Sequence, residues 1–397
     1  MEISIIYTEK VKKFIQEYLY EKDPFKLFLK LQSKVDFDLK LAVNQLTSRQ
    51  KSLKKLPNWA NNLSLFFPVN LSVEQASSEE TASFKAELIE GKSMMDLTGG
   101  FGIDTFHMGA HFKSVSYCER DKDLVDIFRY NMDVLGMSHF KTYHGDGLAI
   151  LAGSSEQFDL IYVDPARRGA QNQKLYNLAD CEPDVSTHWQ FLKTKAKSIL
   201  IKVSPMLDLK KALTELPDIR EVWVLSVKNE VKEVLLLWKR DQNLPEPRIH
   251  CVDLGTAGRK EFTFSFQEEV AALSAFSPVK SYIIEPMASI MKAGAFHLFG
   301  QQYGLEKLHA NSHLYTTDIY LEEIPGRFFK VIREFQQPKK EIKTTFPSGK
   351  VNVIARNFAL SAEEIKKKFK LKDGGEDFLI WTKVGDNFKV FHARKLI

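Results

Sequence analysis

Residues 94–102 read MMDLTGGFG, an apolar run that ends in an acid and passes into a glycine-rich turn. A helical pattern starts at Ile103, so the stretch predicts a strand, a turn and a helix around a phosphate or nucleoside ligand. A dinucleotide-binding turn follows G-x-G-x-x-G, and Thr105 occupies the place of the third glycine. A P-loop needs Lys and then Ser or Thr after its last glycine, where this chain has Ile103 and Asp104. Neither class of phosphate site fits.

The stretch retains an acid, Asp96, set before Gly99, Gly100 and Gly102. A carboxylate attracts an amine, and glycines let the backbone approach a ligand closely. This combination suits a ligand that offers an ammonium group and a nucleoside, and S-adenosylmethionine is such a ligand. From this stretch alone, an ordinary strand-turn-helix corner without a ligand remains the alternative.

The chain has 397 residues, more than one hydrophobic core usually supports, so two or three domains are expected. No apolar run approaches the roughly 20 residues of a membrane span, and the N-terminus lacks a signal-peptide pattern. A cytoplasmic location without membrane contact is therefore expected. The three cysteines lie far apart, and His107, His111 and His144 have no spaced acids beside them, so no metal site is predicted.

The net charge of +5 is unevenly distributed along the chain. From Asn311 to Ile397 there are 17 Lys and Arg against 11 Asp and Glu, a surplus of six. A basic C-terminal region is expected of a protein that binds structured RNA such as tRNA or rRNA. A lysine-rich solvated surface explains the charge alone equally well.

Strand and helix patterns alternate after Lys92, which predicts a parallel sheet covered by helices on both faces. The predicted strands contain SMMDL, VSYCERD, FKTYHGD, FDLIYVDPARR and SILIKVSP. Two further runs, REVWVLSV and VKEVLLLWKR, are separated only by residues 228–230, and so short a connection requires a hairpin. The fold class is therefore α/β: a class I methyltransferase (Rossmann-like) seven-stranded sheet with a terminal antiparallel hairpin.

The patterns on either side of this sheet predict a four-part chain. We expect an N-terminal helical region at 1–60, a methyltransferase domain at 61–241, a linker and α+β subdomain at 242–310, and a compact α+β domain at 311–397. Just before the first strand, Ser77 and Ser78 are placed to cap a helix. Because this helix leads directly into the strand, we expect its segment to lie across or against the ligand cleft.

Acids stand at the ends of three consecutive predicted strands. Glu119 ends the second strand, where a carboxylate can accept both ribose hydroxyls of a nucleoside, and Asp146 ends the third, where it can contact the adenine amino group. Such sheets bind ligands at this edge. The cofactor-binding residues predicted from these motifs are Asp96, Thr98, Gly99, Gly100, Gly102, Asp104, Glu119, Arg120, Asp146, Gly147 and Asp164.

The sequence DPARR follows the fourth strand and predicts the reacting end of the site. It is similar to the D/N-P-P-Y motif of methyltransferases that act on exocyclic base amines, in which the acid or amide and a prolyl carbonyl orient the amine. Asp164 and Pro165 match this motif, whereas Ala166 and Arg167 depart from it. Arg167 can stack on a base or pair with a phosphate, and a structural ion pair is the alternative. The predicted catalytic residues are Asp164, Pro165 and Arg167.

Methyltransferases that attack carbon 5 of uracil also carry DPPR-like sequences, but they need a nucleophilic cysteine after the fifth strand. Residues 202–205 read KVSP here and offer no thiol. Transfer to nitrogen needs only alignment and a proton acceptor, because a sulfonium donor is already activated. The sequence therefore favours nitrogen as the methylated atom.

The motifs DLTGGFGIDTF, YCERD, HGDG and YVDPARRG, with EQASSEETA before them and RNFALSAEEIKKKFKLKDGGEDFL near the end, resemble one bacterial family. It is a class I family of methyltransferases that depend on S-adenosylmethionine and carry a C-terminal THUMP-like domain, here 311–397. The resemblance covers the chain from about Leu56 onward. It implies S-adenosylmethionine as the cofactor and a relation to RNA base methyltransferases, in which THUMP domains help to bind structured RNA.

The favoured function is transfer of a methyl group to a nitrogen of an RNA base. Two alternatives stay open at this point. The altered DPARR is compatible with a non-catalytic RNA-binding or assembly factor, and a methyltransferase for proteins or small molecules would need no basic flank.

Overall fold

The computed structural model describes the residues 2–68, 70–167, 178–255 and 258–396. The chain forms two compact units. Unit 1 comprises Met1–Arg220 and Leu235–Leu244, and unit 2 comprises Glu221–Val234 and Pro245–Ile397. The four-part division stays a prediction.

In its described residues, unit 1 begins with seven helices, three of which have N-termini capped by a short polar side chain. Asp23, Asp38 and Ser78 each accept a hydrogen bond from a backbone N–H of the first turn that would otherwise lack a partner. These helices are α1 (Ile3–Ile6), α2 (Glu9–Tyr18), α3 (Pro24–Leu31), α4 (Leu39–Ser52), α5 (Pro57–Asn61), α6 (Asn70–Gln75) and α7 (Glu79–Ala86).

Arg49 of α4 organises the loop that follows these helices. Its buried guanidinium donates to the carbonyl oxygens of Ala60 at 3.0 Å and Asn62 at 2.9 Å, and to the Leu65 carbonyl and the Tyr7 hydroxyl. A buried charge needs such partners, so the loop conformation depends on this side chain.

The predicted parallel sheet follows. Five strands pair in parallel in the order Phe140–His144, Phe112–Glu119, Gly91–Asp96, Phe158–Val163 and Ala196–Val203, so the five predicted parallel strands are confirmed. The elements of this part are β1 (Gly91–Asp96), α8 (Ile103–Gly109), β2 (Phe112–Glu119), α9 (Lys122–Val134), β3 (Phe140–His144), α10 (Gly147–Gly153), β4 (Phe158–Val163), β5 (Ala166–Arg167), a 3-10 helix (Leu178–Asp180), β6 (Cys181–Glu182), α11 (Val185–Lys195), β7 (Ala196–Val203), α12 (Leu209–Glu215), β8 (Glu221–Val227) and β9 (Glu230–Lys239).

The sheet ends differently from the predicted count of seven strands. Lys228 and Asn229 both have positive φ, 52° and 63°, the geometry of a two-residue hairpin, and β8 and β9 are neighbours as expected. In unit 2, however, β10 (Arg248–Gly255) pairs in parallel with β8, and β11 (Gly258–Phe264) pairs antiparallel with β10. Within unit 2, β8 therefore has a further strand partner besides the hairpin, and the seven-strand detail is not confirmed.

Unit 2 also holds an eight-stranded sheet, whose strands lie in the order Ala275–Phe276, Glu306–Lys307, Tyr315–Thr317, Tyr282–Pro286, Gly326–Glu334, Asn387–Lys395, Asp377–Val384 and Asn352–Arg356. Ser361 caps the helix Ala362–Phe369 in a capping box. Ile342 of α16 and Ile365 of α17 are buried in one cluster with Leu379 and Trp381 of β18. The elements are α13 (Phe266–Ala271), β12 (Ala275–Phe276), β13 (Tyr282–Pro286), α14 (Ala288–Ala293), α15 (Phe296–Gln302), β14 (Glu306–Lys307), β15 (Tyr315–Thr317), β16 (Gly326–Glu334), α16 (Pro338–Thr345), β17 (Asn352–Arg356), α17 (Ala362–Phe369), β18 (Asp377–Val384) and β19 (Asn387–Lys395).

Candidate cofactor and acceptor site

The carboxyl ends of the parallel strands in unit 1 border one cavity of about 740 Å³. In open α/β sheets this edge is where ligands bind. Every residue that the sequence predicts for cofactor binding lines this cavity. The lining residues in that set are Asp96, Thr98, Gly99, Gly100, Gly102, Asp104, Glu119, Arg120, Asp146, Gly147 and Asp164.

The side chains of Phe128 and Tyr117 pack against the glycine turn. Gly102 precedes α8 with φ +85°, and a Cβ there would lie less than 3.0 Å from the ring of Phe128. Phe128 in turn stacks on Tyr117 with ring centroids 4.0 Å apart, and the Tyr117 hydroxyl donates to the Gly100 carbonyl. The turn needs glycine at this position for both space and backbone conformation.

Asp96 is almost fully buried at the end of β1. Its carboxylate accepts the backbone N–H of Thr98 at 2.8 Å and the hydroxyl of Thr105. Burial raises the pKa of Asp96 to about 7, although these hydrogen bonds oppose the rise. Thr105, which replaces the third glycine of a dinucleotide site, therefore ties α8 to the acid at the strand end.

Glu119 ends β2 and Arg120 follows it, and the two side chains make different contacts. The Glu119 carboxylate accepts the N–H of Gly100 at 2.8 Å and so faces the glycine turn. Arg120 forms ion pairs with Asp146 and Glu182. The hydrogen bonds from Arg120 hold the pKa of Asp146 below its usual range. Asp146, which the sequence predicts at the adenine amino group, is thus already paired with an arginine.

The predicted reacting end lies after β4. The backbone N–H of Asp164 donates to the Thr98 hydroxyl at 2.7 Å, which joins the residue after β4 to the glycine turn. Pro165 is buried. Arg167 lies in β5, and its side-chain role stays a prediction, while Arg168 lies outside the described residues.

A buried polar network beside Asp164 was not predicted. Lys202 Nζ lies 2.6 Å from Asp164 Oδ2, 3.0 Å from Ser77 Oγ and 3.3 Å from Asp104 Oδ2. The signal in the sequence was a lysine within the apolar second half of a strand, SILIKV. The prediction that Ser77 and Ser78 both serve as caps is wrong for Ser77, because Ser78 alone caps α7 and Ser77 turns into the cavity wall.

Asp104 is the centre of the same network. It accepts hydrogen bonds from Ser77 at 2.7 Å and from the Tyr162 hydroxyl at 2.8 Å, and it pairs with Lys85 at 3.2 Å. Burial alone would raise the pKa of Asp104, but the ammonium groups of Lys85 and Lys202 hold it well below its usual range. The segment before α7 therefore contributes to the cavity, as the sequence predicts.

The described residues that line the cavity are mostly acidic. They include six carboxylates, those of Asp96, Asp104, Glu119, Asp146, Asp164 and Glu182, and two cations, Arg120 and Lys202. The two cations pair with four of these acids. Within the described residues, Asp96 and Glu119 have no ion-pair partner, so they remain to attract a positively charged ligand.

Over the described ranges, no group of three or more His, Cys, Asp or Glu side chains is placed to hold a metal ion. Among those same residues, no helix has the length and apolar character that a membrane crossing requires.

Two family models match the C-terminal part of the chain. Residues 282–325 match a ferredoxin-like domain, and residues 326–395 match a THUMP domain-like family. A candidate methyltransferase from Porphyromonas gingivalis W83, known from its crystal structure, is 32% identical with a TM-score of 0.87, and the match covers 100% of this chain and 99% of that one.

Two curated relatives extend this comparison. A protein of Mycobacterium tuberculosis H37Rv, named an uncharacterized S-adenosylmethionine-dependent methyltransferase, is 18% identical over 325 residues, or 79% of this chain and 84% of that protein. A Mycoplasma mobile protein, named an uncharacterized RNA methyltransferase, is 26% identical over 121 residues, or 30% of this chain and 32% of that protein.

Proposed function

This chain belongs to a family of S-adenosylmethionine-dependent methyltransferases with a C-terminal THUMP-like domain, and on that premise we propose that it methylates a nitrogen of an RNA base in tRNA or rRNA. The observation that carries the proposal is the hydrogen bond between Asp164 and the glycine turn. The hydrogen bond from the Asp164 N–H to the Thr98 hydroxyl supports the proposal, because it ties the Asp164–Pro165 sequence to the glycine turn that lines the cavity.

The residues of the cavity fit the cofactor by charge and by size. S-adenosylmethionine supplies an activated methyl group on a sulfonium and also carries an ammonium group. A cavity of about 740 Å³ lies in the usual range for such ligands. Asp96 would attract the ammonium group, and Glu119 would accept the ribose hydroxyls. Asp146 and Gly147 would lie at the adenine.

Asp164 would act on the acceptor. A carboxylate at this position accepts the N–H of a base amine and so aims the nitrogen lone pair along one direction. It can also take the proton that the nitrogen loses when it is methylated. Pro165 would supply a second acceptor through its carbonyl, as in the D/N-P-P-Y motif.

Three observations support RNA as the acceptor. Residues 326–395 match the THUMP domain-like family, and the relative from Mycoplasma mobile carries the name of an RNA methyltransferase. Lys367, Lys368 and Lys370 are exposed on and beside α17 in the same region. Exposed lysines provide the sequence-independent attraction to phosphate that RNA binding requires.

Mass spectrometry of nucleosides tests the proposal. Digested tRNA and rRNA from wild-type cells and from cells that lack this gene are compared, and one methylated nucleoside is expected to be missing from the latter. Purified protein with S-adenosylmethionine should restore that nucleoside in RNA from the deletion cells. The Asp164→Ala variant should not restore it, whereas Asp133→Ala, an exposed acid of α9 outside the cavity, should. Identical nucleoside profiles in the two cell lines would refute an RNA acceptor.

A further inference from the structure

Lys202 is a buried cation at the reacting end of the cavity. Only 11% of its side chain is exposed, and it lies near the carboxyl end of β7, beside the end of β4. Its ammonium group has three donors, and Asp164, Ser77 and Asp104 lie at 2.6, 3.0 and 3.3 Å from it. A buried ammonium persists only with such partners, so the position of Lys202 is determined by these contacts.

Asp164 is held from two sides. Thr98 accepts its backbone N–H at 2.7 Å, and Lys202 binds its Oδ2 atom. The Asp164 side chain is 37% exposed and lines the cavity. Among the residues that the structure describes, no hydrogen bond or ion pair involves Asp164 Oδ1, so this oxygen can face an acceptor within the cavity.

The groups behind Lys202 keep it in place. Asp104 lies between the ammonium groups of Lys85 and Lys202, and Ser77 accepts a hydrogen bond from each lysine, at 3.3 and 3.0 Å. The Tyr162 hydroxyl donates to Asp104 at 2.8 Å. With Asp164 ionised, this network contains two carboxylates and two ammonium groups, so its charge is balanced without a further ion.

We propose that Lys202 is a positioning residue for methyl transfer, whose ammonium group holds Asp164 as an oriented carboxylate. The proposal rests on the proposed function, because Asp164 acts in catalysis only if the acceptor nitrogen binds beside it. That nitrogen forms its bond to the methyl carbon as the bond from this carbon to sulfur breaks, and its proton passes to Asp164 Oδ1. Asp164 then becomes a neutral acid that still accepts a hydrogen bond from Lys202.

The balance of charges around Asp164 supports this role. Burial raises the pKa of Asp164, and the charge and hydrogen bond of Lys202 lower it. Asp104 raises the pKa further and Lys85 lowers it, while buried Asp96 lies at the end of the neighbouring strand β1. Without Lys202, the nearest cation would no longer oppose the rise that burial causes in the pKa of Asp164. Asp164 would then stay protonated to a higher pH and could not accept a proton there.

A carbon-13 NMR titration of the Asp164 carboxyl in aspartate-labelled full-length protein tests this directly. The Asp164→Asn variant assigns the signal. In Lys202→Met the apparent pKa of Asp164 should rise by about one unit or more, the size of shift that an opposite charge at this distance produces. Lys197→Met is the matched control: Lys197 lies in the same strand but is exposed and pairs with Asp159, so Asp164 should titrate as in the wild type. An unchanged Asp164 titration in Lys202→Met would overturn the proposal.

The same variants give a second readout in methyl transfer to RNA from deletion cells. In Lys202→Met, the acidic side, or acid limb, of the plot of methylation rate against pH should move to higher pH by the same amount as the pKa of Asp164 in the titration. The Kd for S-adenosylmethionine should stay within about threefold of the wild-type value. Lys202→Arg, which keeps the charge, should restore the wild-type limb. If Lys202→Met does not fold, Lys202→Gln replaces it and should shift both the titration and the limb. If wild-type protein methylates no RNA, the RNA acceptor is wrong, and the NMR titration still decides the role of Lys202.

Discussion

Replacing Gly102 by alanine should damage the cofactor turn for two separable reasons. The φ of +85° is unfavourable for any residue with a Cβ, by about 1–2 kcal/mol. The new Cβ would also overlap the Phe128 ring, and because Phe128 stacks on Tyr117, neither ring can move freely. Overpacking of this kind costs about 1–3 kcal/mol. We therefore expect Gly102→Ala to lower the free energy of unfolding by about 2–5 kcal/mol.

Differential scanning calorimetry measures this lower stability as a lower Tm for unit 1. For a domain of this size, about 2–4 °C of Tm corresponds to each kcal/mol, so the loss should be about 4–20 °C. Gly136 provides the matched control, because its φ is +70° and a Cβ there meets nothing within 4 Å. Gly136→Ala should lose only the backbone part, about 1–2 kcal/mol. Equal Tm losses in the two variants would show that contact with Phe128 is not what requires glycine at position 102.

Three further outcomes follow from the site, the N-terminal helices and the basic region. Affinity for S-adenosylmethionine should fall about tenfold as the pH drops from 8 to 6, because Asp96, with a pKa of about 7, loses the charge that attracts an ammonium group. In calorimetric titrations, the affinity of the Asp96→Asn variant should not change with pH in this way. Arg49→Met should lower the free energy of unfolding by about 3–5 kcal/mol, since it leaves several buried carbonyl oxygens unpaired; denaturant unfolding that matches the wild type would contradict this. Replacing Lys367, Lys368 and Lys370 by alanine should reduce the slope of log K for tRNA binding against log salt by about 2–3; an unchanged slope would remove α17 from the RNA contact.

The sequence predicted the strand-end acids because their positions follow from local patterns. Asp96, Glu119, Asp146 and Asp164 each stand where an apolar run stops, and the parallel pairing of such runs brings their ends to one edge. The hairpin of β8 and β9 was also predicted from a local signal, the short connection between two apolar runs.

The network around Lys202 could not be predicted in the same way. Ser77 and Lys202 are 125 residues apart, and no periodicity relates them. Ser77 carries a strong local signal for a helix cap, which Ser78 fulfils instead. The strand count failed for a similar reason, because the pairing of β10 with β8 depends on tertiary contacts that no turn signal records.

The helices at the start of the chain share their apolar core with residues much later in the sequence. Val11, Leu46 and Trp59 belong to the same buried cluster as Phe101 and Met132. At a synthesis rate of about 5–20 residues per second, Met132 leaves the ribosome several seconds after Trp59. During that interval the nascent helices expose an apolar surface that has no partner yet. We therefore expect chaperones that hold unfolded chains to bind this protein early in translation and to release it once α9 has emerged.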